Sequence, residues 1–140
     1  MARILVMEDD SDFAAMLSGA LEGVGHSVVV TGDGSAAMTA LRTSRYDLLI
    51  TDIYVRQDGQ STADGGILLI SRIRSPGKAP KFEWMTTMRI LAITGARAYR
   101  DPTQLTRLAE SIGADRALLK PMHLDDLLTT VNELISGGKG

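Results

Sequence analysis

Three acidic residues in succession, Glu8-Asp9-Asp10, follow the apolar run Ile4-Leu5-Val6-Met7 at the point where a short strand should end. Carboxylates within a few ångströms raise one another's pKa, so such a cluster calls for a cation or a proton. Two further apolar runs end in charge: Leu48-Leu49-Ile50 leads to Asp52, and Ala117-Leu118-Leu119 leads to Lys120-Pro121. Thr94 closes a fourth run in Ile93-Thr94-Gly95. The carboxyl ends of parallel strands line one crevice in an open α/β sheet, so these residues converge if the sheet forms. Carboxylates, an ammonium and a hydroxyl at one crevice describe a small metal and phosphate site.

Magnesium suits the donor set, being hard, octahedral and held by one or two carboxylates with waters and a phosphate oxygen. Asp9 and Asp52 are the expected direct ligands, Glu8 the one acting through water, and the main-chain carbonyl of Tyr54 the completing donor. Asp10 is assigned instead to the N-cap of the following helix. Asp52 has a second use, because a carboxylate beside a metal can attack a phosphoryl group and become an aspartyl phosphate. Lys120 offers a compact ammonium for phosphate oxygens, and a cis Lys120-Pro121 bond is one way to fix the loop after it. Thr94 could donate its hydroxyl to a phosphoryl oxygen, with Gly95 allowing close approach of its own N–H. The competing structural readings are a capping, solvated acidic run, an ordinary exposed lysine and an ordinary strand threonine; the coincidence of four strand ends weighs against them.

The elements needed to hold these groups are legible. The sequence alternates β-like runs with amphipathic helical patterns, the signature of a parallel sheet covered on both faces. Strands are expected at about 3–7, 27–31, 47–51, 89–94 and 116–119. Apolar residues recur at helical spacing at Phe13, Leu17, Ala20, Leu21 and Val24; at Ala37, Met38 and Leu41; less regularly at Leu68, Ile70 and Ile73; at Leu105, Leu108, Ala109 and Ile112; and at Leu124, Leu127, Leu128, Val131 and Leu134. Gly25 and Gly113 read as residues just past helix ends, and Asp101-Pro102 as a helix start. The order is (βα)5. Two connections exceed the usual two to six residues: 53–66, on the crevice side, and 75–88, on the opposite edge. Phe82 and Trp84 in the second are expected to tuck onto the nearest helix, the other option being a docking patch.

Bulk properties narrow the function. A chain of 140 residues suits a single domain; no cysteine excludes disulfides and thiolate chemistry, and His26 and His123 leave little for an imidazole metal site. The net charge of -2 gives no electrostatic case for nucleic-acid binding by this chain. No apolar run approaches a bilayer span and a strand begins within three residues of the start, so a cytoplasmic protein without a signal peptide is expected. The domain is placed at 1–135, with 136–140 a flexible tail.

The ordered set Ile4-Leu-Val-Met-Glu-Asp-Asp, Asp47-Leu-Leu-Ile-Thr-Asp52, Ile93-Thr94 and Leu119-Lys120-Pro121 resembles the receiver domains of two-component response regulators over about residues 2–135. The resemblance implies a flavodoxin-like doubly wound (βα)5 sheet with strand order 2-1-3-4-5. It implies Asp52 as phosphoacceptor, Glu8 and Asp9 as the acidic pair, Thr94 as switch hydroxyl and Lys120 as the phosphate-sensing lysine. It further implies a histidine kinase or histidine phosphotransfer protein as donor, an output protein as partner, and the possibility of a homodimer. Such a domain phosphorylates itself and slowly loses the phosphoryl group; it is not a turnover enzyme. An Asp52-nucleophile phosphohydrolase fits less well, since position 54 is tyrosine where a second acid is needed.

Departures from the family pattern are specific. The segment after Ile53 lacks proline and holds two Asp-Gly pairs, Asp58-Gly59 and Asp64-Gly65, the latter taken as the usual pair and the rest as an insertion. Tyr54 and Arg56 stand where they could shield or contact a phosphate, so a long-lived aspartyl phosphate is expected. Ala117 replaces a common aromatic on the fifth strand, and Met122 a common phenylalanine. Signalling is therefore expected to run through the lengthened loop or through Thr94 and the 97–100 segment. A phosphorylation-independent interaction module is the alternative reading.

Overall fold

The computed structural model describes residues 1–53, 55–57, 60–62, 65–75, 79–95, 107 and 109–137; for 55–57, 60–62 and Gly137 only the backbone is described. Five strands form one parallel sheet: β1 (Arg3–Met7), β2 (Ser27–Thr31), β3 (Leu48–Asp52), β6 (Arg89–Gly95) and β7 (Arg116–Lys120). Their spatial order is β2-β1-β3-β6-β7, which in chain order of the five is 2-1-3-4-5, the flavodoxin-like arrangement expected from the resemblance. Helices α1 (Ser11–Gly23), α2 (Gly34–Thr43), α3 (Gly66–Arg74) and α4 (Leu124–Asn132) cross over between strands or close the chain. Residues 109–112 are also helical.

Strand composition explains the double winding. β1 and β3 are apolar at successive positions because both faces are covered. Leu5, Met7, Leu49, Ile90 and Ala92 pack with Ala37, Leu41, Leu69 and Ile73 of α2 and α3. Their neighbours Ile4, Val6, Leu48, Ile50, Leu91 and Ile93 pack with Leu17 and Leu21 of α1 and Leu127 and Val131 of α4. The period-two alternation thus sorts one set of strands into two cores.

Helix ends follow local chemistry. Asp10 caps α1 by accepting from the Phe13 N–H at 3.0 Å, as expected, and Asp33 caps α2 through the Ala36 N–H at 2.8 Å. Gly25 and Gly113 have φ of 98° and 92°, the left-handed backbone that glycine adopts without cost. Three expected core positions are instead exposed: Val24, which caps the end of α1, and Leu68 and Leu124 near the starts of α3 and α4. Near a helix terminus the buried stripe has not yet closed over such residues. The start expected at Asp101-Pro102 lies outside the described residues.

Both long connections contain structure that apolar periodicity did not reveal. Val55–Gln57 (β4) and Gln60–Thr62 (β5) form an antiparallel hairpin in which Gln57 pairs with Gln60. Pro80–Thr87 is a 3-10 helix. Its Met85 is buried, and Phe82 and Trp84 pack half-buried on the α2/α3 core, with the Arg45 guanidinium 5.9 Å from the Trp84 ring. The aromatics therefore tuck inward. Arg74 fastens this turn, donating from Nη1 to the carbonyls of Thr86 and Met85 at 3.0 and 3.3 Å and from Nε to Gly113 at 2.9 Å. At the C-terminus, α4 passes into a π-helical turn, Glu133–Gly137, and residues 138–140 lie outside the described part.

Candidate functional site

Parallel register brings the strand ends together. Asp52 is the last residue of β3 and pairs with Ile93; Thr94 and Gly95 then pair with Leu119 and Lys120 at the end of β7. From the other side, Met7 of β1 pairs with Thr51, which places Glu8 beside Asp52. The carboxylates of Glu8, Asp9 and Asp52 offer oxygen atoms all within 4.8 Å of one another. Glu8 is 3% exposed and Asp52 7%, while Asp9 faces solvent. Lys120 Nζ lies 2.7 Å from Glu8 Oε1 and 3.3 Å from Asp52 Oδ2. The Lys120-Pro121 bond is cis.

The electrostatics are unbalanced. Three carboxylates face one ammonium. Burial pushes Glu8 up to about 7, even though Lys120 and the Asp10 N–H (3.0 Å to Oε2) favour its charged form; the charge of Asp52 adds to the rise. Lys120 is itself disfavoured as a cation by burial, but Glu8 and Asp52 outweigh that and hold its ammonium above the ordinary lysine range. The excess negative charge and an all-oxygen donor set fit a hard divalent cation. Thr94 is fully buried, and its hydroxyl has no hydrogen-bond partner among the described residues. A buried hydroxyl without a partner costs free energy unless an acceptor reaches it.

Of the residues expected from sequence, Glu8, Asp9, Asp52 and Lys120 converge directly, and Thr94 is the penultimate residue of the adjacent strand. Tyr54 lies outside the described residues, as do Asp58, Asp64 and residues 97–100; of Arg56 only the backbone is described. Ala117 pairs with Ala92 and packs half-buried on the α2/α3 core, and Met122 packs half-buried against the α1/α4 core.

One glycine beside the site is not marked by the sequence pattern. Gly66 approaches the site. Its N–H donates to the Ile53 carbonyl at 2.9 Å, and a Cβ there would run into the Asp52 carbonyl and stand 2.9 Å from Thr51 Oγ1. The Thr51 hydroxyl donates to that same Asp52 carbonyl at 2.9 Å. The doublet Gly65-Gly66 ahead of an apolar helix was the available signal, since glycine opening a helix has a cost that close packing can justify.

The sheet order, the crossovers and the acidic crevice define a response-regulator type of receiver fold, and comparison with known proteins agrees. The description of the response regulator receiver domain matches residues 4–132, and the chain belongs to that family. It is 47% identical over 129 residues to the DNA-binding response regulator MtrA of Mycobacterium tuberculosis, covering 92% of this chain and 48% of that protein. The chain thus spans about half the length of the MtrA relatives it matches. Among solved structures, the receiver domain of a signal transduction histidine kinase from Syntrophus aciditrophicus superposes with a TM-score of 0.76 at 27% identity, over 99% of this chain and 93% of that one. The chemotaxis response regulator CheY4 of Vibrio cholerae shares the fold at a TM-score of 0.76 and 22% identity, over 96% and 98% of the two chains. No described helix is long and apolar enough to cross a membrane.

Proposed function

We propose that this receiver domain accepts a phosphoryl group on Asp52 from a histidine kinase or histidine phosphotransfer protein, and that the phosphorylated state alters the binding of an output partner. The observation carrying this reading is the convergence of Asp52 with Glu8, Asp9 and Lys120 in one crevice, with the buried Thr94 hydroxyl on the adjacent strand lacking a partner among the described residues. Asp9 and Asp52 would hold Mg²⁺ directly and Glu8 through water, with the Tyr54 carbonyl as a further donor. When bound, the cation supplies positive charge against the phosphoryl oxygens.

An Asp52 carboxylate oxygen attacks phosphorus as the phosphorus–nitrogen bond to the donor imidazole breaks, the electron pair leaving with nitrogen. Lys120, 3.3 Å from Asp52 Oδ2, moves onto a phosphoryl oxygen, and the Thr94 hydroxyl gains the acceptor it lacks. Transfer of this kind depends mainly on positioning and charge neutralisation. Because Ala117 has no side-chain rotamer to change, movement of Thr94 and the segment after Asp52 carries the signal.

Amide chemical shifts recorded with Mg²⁺ before and after adding beryllofluoride, a phosphoryl mimic, test this. Shifts should centre on Asp52, Thr94 and Lys120 and spread into the segments that follow β3 and β6. An unchanged spectrum would instead assign the domain to phosphorylation-independent protein interaction, and shifts confined to the faces of β7 and the preceding helix would contradict the output route.

A further inference from the structure

Phe13 has no part in the chemistry above, yet its ring faces the lysine that does. Lys120 Nζ lies 4.5 Å from the centroid of the Phe13 ring. Phe13 is half-buried in the first turn of α1, seated on the core that β1 and β3 share with α1 and α4. Four contacts close a circuit. Lys120 Nζ meets Glu8 Oε1 at 2.7 Å; Glu8 Oε2 accepts the Asp10 N–H at 3.0 Å; Asp10 Oδ1 accepts the Phe13 N–H at 3.0 Å; and the Phe13 ring returns to Nζ.

A lysine side chain has several rotamers to choose from, and carboxylates alone fix its charge more firmly than its direction. A ring face attracts the ammonium yet takes none of its N–H donors, which remain for oxygen atoms. A third carboxylate in that position would compete with a phosphoryl group, and an aliphatic side chain would only exclude water.

We propose that Phe13 is a positioning residue whose ring holds the Lys120 ammonium between Glu8 and Asp52, within reach of a phosphoryl oxygen on Asp52. The proposal rests on Asp52 being the phosphoacceptor.

The test is a double-mutant cycle between Phe13 and Lys120. With Mg²⁺ present, Phe13→Leu should weaken beryllofluoride binding on the order of 2- to 5-fold, the usual range for one partly exposed cation–π contact. Phe13→Trp should restore it. In a Lys120→Gln background, Phe13→Leu should have no further effect. Proton signals of the Lys120 side chain should also lose their ring-current shift in Phe13→Leu. Equal weakening in both backgrounds, or unchanged affinity and lysine signals in a folded Phe13→Leu protein, would overturn the assignment. The same cycle read as melting temperatures without metal or beryllofluoride separates the two ideas. If the wild type fails to bind beryllofluoride, the phosphoacceptor reading falls, while non-additive melting still supports the Phe13–Lys120 contact and additive melting refutes it.

Discussion

Replacing Gly66 with alanine sets two effects against each other. Gly66 opens α3 without a positive φ, so backbone propensity alone favours alanine: the substitution should stabilise by up to about 1 kcal/mol through helix preference and a less flexible unfolded chain. The added methyl, however, would collide with the Asp52 carbonyl and stand 2.9 Å from both the Ile53 Cα and Thr51 Oγ1. Two of those three neighbours are backbone and cannot rotate away. Overpacking of this sort costs about 1–3 kcal/mol, so a net loss of about 1–2 kcal/mol is expected. At about 2–4 °C per kcal/mol, that corresponds to a melting temperature lower by roughly 2–8 °C. Gly19→Ala is the internal control, lying within α1 with nothing within 4 Å of the added carbon, and it should melt at or above the wild type. Thermal melts by circular dichroism, with phosphoryl labelling of Asp52 as a second readout, decide the matter. If Gly66→Ala matches or exceeds the wild type in both, the close approach of α3 to the Asp52 backbone is wrong.

Other perturbations probe the crevice and its support. Glu8 has a folded pKa raised to about 7 from 4.5, so it stabilises the metal-free protein fully below 4.5 and that contribution is lost as pH rises through about 7. Lys120, raised from 10.5, keeps its charge throughout that window. Melting of the metal-free protein should therefore show Glu8→Gln gaining on the wild type from pH 5 to pH 8, with added Mg²⁺ narrowing the gap at pH 8; a pH-independent difference would refute the assignment. Arg74→Met keeps the aliphatic stem but removes donors to Thr86, Met85, Gly113 and Asp115. It should cost about 2 kcal/mol and shift Trp84 emission to the red, and unchanged emission would mean that the 3-10 helix is held by its apolar contacts alone.

The five parallel strands were readable almost residue for residue, because each is a short β-branched or leucine-rich run stopped by charge or a turn. Glu8, Asp9, Asp52 and Lys120 were readable because parallel topology dictates where strand ends meet. The hairpin Val55–Gln57/Gln60–Thr62 was not, since Arg-Gln and Gln-Ser-Thr offer no apolar alternation; only Asp58-Gly59 hinted at a turn. Gly66 was not singled out, because the sequence shows a glycine ahead of an apolar helix but not that it lies against the Asp52 backbone. Phe13 read as one more apolar position of α1. Its place over Lys120 depends on how α1 lies against β7, which helical periodicity does not encode.

The most direct measurement is the intact mass of the protein after incubation with an acyl phosphate, with and without Mg²⁺, for the wild type and Asp52→Asn. The account predicts one added phosphoryl group per wild-type chain, dependent on Mg²⁺ and absent from Asp52→Asn. Equal labelling of Asp52→Asn, or no labelling of the wild type with Mg²⁺ present, would contradict it.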